Sequence, residues 1–192
     1  MLHIRISAAN AKVYLRTLEY GDAAAIAANA NDKEIAESIS DEGTFPHPYS
    51  EEDALSFIKR ASEEASSGIG LHMGIFCVET DELVGVIGLS YINMHSKKSE
   101  VGFWIGRKFW GRGYGKAALR LMLAFGFARL GLNRIYGIAF ASNERSIRMM
   151  KSVGMKEEAR LKEDGIKNGS LVDNVQLAIL SREFALQDLS IS

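Results

Sequence analysis

The stretch Trp110-Gly111-Arg112-Gly113-Tyr114-Gly115-Lys116 decides how this chain reads, because three alternating glycines join a strand-like run, Val101 to Ile105, to an apolar helix-like run, Ala117 to Leu130. A glycine-rich turn that opens a helix is suited to holding phosphates. Backbone without Cβ atoms approaches an anion closely and takes φ > 0 where needed. The unpaired N–H groups of the helix's first turn, at the positive end of its dipole, supply donors. Two familiar phosphate loops fail on spacing. A Walker A loop would put its first glycine at Trp110 and its magnesium-binding hydroxyl at Ala117. A dinucleotide fingerprint counted from Gly111 would put its third glycine at Lys116.

Working outward, Val13 to Arg16 alternates like a half-buried strand and Asp22 precedes an alanine-rich helix to Ala30. Ser40 to Tyr49 holds both prolines and reads as a loop. Ser50 caps a helix with an acidic first turn that runs to about Ser66, before Gly68 and Gly70. Leu71 to Glu79, Leu83 to Tyr91 and Ser99 to Ile105 read as successive strands. The apolar stripe Ala117, Leu121, Phe125 and Ala128 marks a well-buried helix with Gly131 after it. Arg134 to Phe140 then reads as a strand parallel to Val101 to Ile105, because a helical crossover joins them. Asn143 or Ser142 caps a short helix ending near Gly154. Met155 to Leu161 and Leu171 to Leu180 complete the strands around a polar turn, Asp164 to Ser170.

The chain has 192 residues, 47% hydrophobic and 24% charged, which suits one substantial core. A net charge of -1 with both signs interspersed provides no broad basic field for nucleic acid or an anionic membrane. The only cysteine, Cys77, lies in an apolar run and reads as a small buried hydrophobe; His47, His72 and His95 form no metal spacing. The start of the chain lacks a sustained apolar region and no run is long enough to span a bilayer, so a cytoplasmic location is expected. The basic cluster Arg145, Arg148, Lys151 and Lys156 reads as a solvated face or as one that approaches a phosphate-bearing or acidic ligand.

The order strand, glycine loop, long helix, strand, then Asn143-x-x-Ser146 before a short helix ending in Gly154 resembles the GCN5-related N-acetyltransferases (GNAT), over about Lys12 to Phe184. Glu100-Val101-Gly102-Phe103-Trp104-Ile105, Phe109 to Tyr114 and Asn143 to Arg148 are similar to the RimJ/RimL-like branch that acetylates protein N-termini. There Trp commonly stands where the family's loop has Gln or Arg, so Trp110 becomes a branch marker. The resemblance implies an α/β fold with a mixed, strongly twisted sheet, a splayed central parallel strand pair and flanking helices. It implies one domain over residues 12–184, with terminal extensions at 1–11 and 185–192.

It further implies acetyl-CoA as co-substrate and no metal. The backbone of Gly111, Arg112, Gly113, Tyr114, Gly115 and Lys116 would hold the pyrophosphate, and that of Phe103, Trp104 and Ile105 the pantetheine arm. Glu100 would be the general base. The family's usual tyrosine acid falls on Met150, which leaves Ser146 to hydrogen-bond the CoA sulfur, with Asn143 supporting the cofactor or capping the helix. A protein N-terminal amine is the favoured acceptor. A small amine such as a polyamine, amino acid or antibiotic is the alternative, with Asp41 to Tyr49 as the loop where the two would differ, and a non-catalytic acyl-CoA-binding module is a third reading. Exposed Phe103 or tryptophans near an edge strand would permit a homodimer.

Overall fold

Alternating burial along the strands and a helix apolar nearly all round set the layers. The computed structural model describes residues 3–39 and 45–185. Its elements run β1 (Arg5–Ile6), β2 (Val13–Thr17), α1 (Ala23–Ala30), α2 (Lys33–Ile39), α3 (Glu51–Ser67), β3 (Leu71–Cys77), β4 (Leu83–Asn93), β5 (Lys98–Ile105), α4 (Tyr114–Ala128), β6 (Arg134–Phe140), α5 (Glu144–Lys151), β7 (Lys156–Lys167) and β8 (Ser170–Leu180). The eight strands form one sheet in the order β1-β2-β3-β4-β5-β6-β8-β7. Every neighbouring pair is antiparallel except β5–β6.

The helix α4 buries Ala118, Leu119 and every residue from Leu121 to Phe127. It packs on one sheet face, in a cluster with Leu89, Val101 and Ile135. The opposite face carries a second cluster in which Ile26 of α1 and Ala54 and Ile58 of α3 meet Tyr14, Phe76 and Val86. Two faces covered by helices leave the sheet's middle as the place where a cleft can open.

That opening lies between β5 and β6. Their parallel pairing covers only Lys98↔Arg134, Ser99↔Ile135 and Glu100↔Tyr136, after which the strands diverge. Met150 of α5 packs into the divergence: a Cβ at Gly137 would stand 2.8 Å from its Sδ and 3.3 Å from the Val101 carbonyl oxygen. Beyond Glu100 the fork-facing peptide groups of β5 therefore have no ladder partner in β6.

Several elements differ from the sequence reading. The seven-residue α2 was not anticipated; Asp32 caps it, its Oδ1 accepting from the Glu34 and Ile35 amides at 2.9 and 3.3 Å. The expected loop from Ser40 lies outside the described residues at 40–44, and 45–49 contain neither helix nor strand. Arg5–Ile6, expected in an extension, pairs with β2, and Ile6 is fully buried. The polar stretch from Asp164 is no long turn. Strand β7 continues to Lys167, and only Asn168 and Gly169, both with positive φ, make the hairpin turn. The pairing of β7 with β8 shifts register instead between Glu157 and Ala159 and between Leu161 and Gly165, where Asp173 accepts from the Glu163 amide and pairs with Arg160.

Candidate active site

A cleft of about 720 Å³ occupies the fork, lined by β5, the glycine turn, the ends of β6 and α5, and α2. The glycine turn is built by backbone conformation. Gly111 and Gly113 have φ of +77° and +83°, a region that costs a residue with a Cβ roughly 1–2 kcal/mol. Gly113 is the N-cap of α4, so the amides that follow it carry no intrahelical partner and point into the turn. Gly115 serves another purpose: a Cβ there would stand 2.5 Å from Met149 Sδ, so its absence lets α5 close on α4. Helix α4 starts at Tyr114 rather than Ala117, which places those free amides inside the glycine run.

Of the residues named from sequence, Glu100, Phe103, Trp104, Ile105, Gly111, Gly113, Tyr114, Gly115, Lys116, Asn143 and Ser146 all line this one cleft. Arg112 does not. It is exposed, and its carbonyl accepts from Lys12 Nζ at 3.2 Å, a cation at the turn that the sequence reading missed. The Ile105 carbonyl accepts from the Trp110 indole N–H at 2.7 Å. Trp110 thus pins the start of the turn to the end of β5. Tyr114 directs its hydroxyl 3.4 Å from Cys77 Sγ, so it offers the turn its backbone. Cys77 is buried and away from the cleft, as its apolar surroundings suggested.

At the base of the fork Glu100 is half-buried and hydrogen-bonded to Tyr136, its cross-strand partner. Burial pushes its carboxyl above the ordinary glutamate range, and the Tyr136 bond offsets part of that rise. Tyr136 escaped the sequence reading because only the strand register brings it to Glu100. Burial, then the neighbouring carboxylate, raise its own phenol.

On the opposite wall, Asn143 accepts from the Ser146 amide at 3.1 Å, the capping role. Its Nδ2 also donates to the Ser38 carbonyl of α2 at 3.1 Å. Ser146 lies half-buried in the first turn of α5. Met150 is core, 1% exposed.

The basic cluster is not simply solvated. Arg145 lies over the Trp110 ring, 3.7 Å from its centroid, and reaches Glu34 at 3.4 Å. Glu34 also meets Arg107 at 3.3 Å, so one carboxylate of α2 bridges the β5 side and the α5 side of the fork. Lys33 pairs with Glu37, and Arg148 with Glu144. Among the described residues Glu100 is the cleft carboxylate without a cation within ion-pair distance. No group of residues suited to a metal occurs among the described residues, and no helix there is long and apolar enough to cross a membrane.

The donor set fits a phosphorylated thioester carrier: free amides at a helix start with Lys12 and Lys116 nearby for a pyrophosphate, and an unpaired strand edge for an amide-bearing arm. Comparison with known proteins agrees. A family model described as an acetyltransferase (GNAT) domain matches residues 12–156. The chain is similar to the uncharacterized N-acetyltransferase p20 of Bacillus licheniformis, at 27% identity over 91% of this chain and 96% of the relative. It is also similar to spermidine N(1)-acetyltransferase of Vibrio cholerae, at 26% identity over 91% of this chain and 96% of that protein. Among solved structures, Mycobacterium smegmatis RimJ in complex with CoA-disulfide shares the fold, with a TM-score of 0.87 and 23% identity over 98% of this chain and 93% of that one.

Proposed function

The chain belongs to the GNAT family of acetyl-CoA-dependent N-acetyltransferases, and on that premise we propose that it acetylates a protein N-terminal α-amine, in the manner of the RimJ/RimL-like branch, in the cytoplasm. One observation carries the choice of acceptor. Glu34, Glu37 and Glu144 are each held by cations of the chain itself, which leaves Glu100, among the described residues, as the carboxylate at the fork with no cation. A single unpaired carboxylate matches one ammonium group. A polyamine, with several, would gain from a cluster of unpaired acids. The surface around Glu100 is also open: Gly102 is exposed, Ile138 is 36% exposed and Tyr91 76%. An open, partly apolar floor suits the end of a polypeptide.

Acetyl-CoA supplies an activated thioester. The chain's part is to hold it and to manage protons while the acceptor nitrogen bonds to the acyl carbon and the C–S bond breaks. Glu100, raised by burial, takes the proton lost from nitrogen, directly or through one water, with Tyr136 holding the carboxylate in place. An α-amine of pKa about 8 needs less help from a base than a lysine near 10.4. Ser146, at the positive end of α5, stabilises the departing sulfur by a hydrogen bond from its hydroxyl.

The test is an assay with labelled acetyl-CoA against peptides of varied first residue, the same peptides with blocked N-termini, and spermidine. Label on free α-amines, absent from the blocked peptides, is expected. Higher kcat/KM on spermidine or on lysine side chains would overturn the reading.

A further inference from the structure

Glycine inside a strand costs stability and often marks a bulge, a tight bend or a place where a ligand or another group comes close to the backbone. Gly102 sits in mid-β5, paired with Gly88 of β4. Over Gly88 the space of the missing Cβ is taken by the His72 imidazole of β3, with the Phe57 ring of α3 edge-on at 5.7 Å. Over Gly102 a Cβ would meet no atom within 4 Å, and its backbone is not in the left-handed region. Neither packing nor backbone conformation asks for glycine there. Yet Gly102 is exposed, lines the cleft, and by strand alternation shares its face with Glu100 and Trp104. Tyr136 lies opposite Glu100 on that face, and Ile138 is two residues further along β6.

We propose that Gly102 is a specificity-determining position, its missing side chain leaving the slot between Glu100 and Trp104 that seats the amine-bearing carbon of the acceptor. This rests on the acetyltransferase reading above and adds the acceptor's shape to it. A carbon that carries a side chain and a carbonyl, as at a peptide N-terminus, fills such a slot. The terminal methylene of a polyamine leaves much of it empty. A methyl group at position 102 therefore penalises the branched acceptor more.

The experiment uses the full chain with Gly102→Ala and Gly102→Val, measuring turnover of a peptide with a free N-terminus and of spermidine, CoA binding by calorimetry, and thermal unfolding. The alanine variant should fold with a melting temperature no lower than that of the unsubstituted protein. Its Kd for CoA should be unchanged and its KM for the peptide raised about tenfold or more, the scale of one methyl group forced into a filled site, with valine worse. Unchanged peptide kcat/KM in an active enzyme overturns the inference and leaves the acetyltransferase reading standing. So does a matching loss of CoA affinity, which would assign the glycine to the cofactor arm, or an equal loss on spermidine. Failure of the unsubstituted protein to acetylate any amine would instead sink the acceptor reading and this inference together.

Discussion

The two faces of β5 obey different rules. On one, Val101 and its cross-strand partner Leu89 lie in the core beneath α4, where a Cβ at Gly126 would stand 2.7 Å from Ile135 Cδ1, so its absence lets the helix pack close to the sheet. On the other, Glu100, Gly102 and Trp104 border the cleft, and a carboxylate is left half-buried with a phenol as its hydrogen-bond partner. Leu89 and Val101 thus serve the core while Glu100, Gly102 and Trp104 face the cleft, which Phe103 and Ile105 also line from the core side. Substitutions on the two faces should separate the corresponding measurements.

The largest effect is expected on the core face. Leu89→Ala removes a fully buried side chain and should cost about 2–5 kcal/mol in denaturant unfolding. Turnover per folded molecule, measured below the transition, should stay within a few fold. A large drop in kcat without loss of stability would break the separation.

On the cleft face, Glu100→Gln should lower kcat/KM about 100-fold, equivalent to ~2.7 kcal/mol of barrier. The unsubstituted enzyme's rate should climb with pH through a value above the ordinary glutamate range, and the variant should lack that limb. Stability should move the opposite way. Because burial raises the carboxyl in the folded state, ionisation costs stability as pH rises through the raised pKa, and the cost is absent in acid below the ordinary glutamate value. The glutamine variant should therefore melt no lower than the parent at neutral pH, any advantage disappearing in acid. An unchanged kcat and pH profile would remove Glu100 from the chemistry.

The smallest effect concerns the strap over the fork. Glu34→Gln removes contacts to Arg107 and Arg145 whose side chains are more than half exposed, pairs worth ~0.2–1 kcal/mol each. Acceptor KM should rise by less than about tenfold at low salt. The difference should close near 1 M salt, where the Debye length is about 3 Å. A salt-insensitive change would mean that Glu34 acts on the acceptor itself rather than by holding α2.

What could be read in advance follows the range of each interaction. The caps Ser50 and Asn143 were legible because each accepts from an amide three residues on. Strand β6 was legible from end to end because its apolar positions are flanked by turn residues. Helix α2 was missed because it buries only Ile35 among its residues and is held by contacts to Asn143, Arg107 and Arg145. The Asp32 cap with Glu34 in the first turn was the local signal that could have found it. The charged strand β7 was cut short because most of its residues are exposed and its partner β8 supplies the regularity.

By itself, then, the sequence determined the glycine turn, the helix that follows it, and through them the family and its acyl donor. Those features depend on φ preferences, caps and apolar spacing within a few residues of chain. Only the tertiary structure decided that pairing stops at Glu100, that Tyr136 meets it, that Glu34 spends its charge on Arg107 and Arg145, and that nothing fills the space above Gly102. Burial, pairing and empty space are set by residues tens of positions apart, and no local pattern in the chain records which of them will meet.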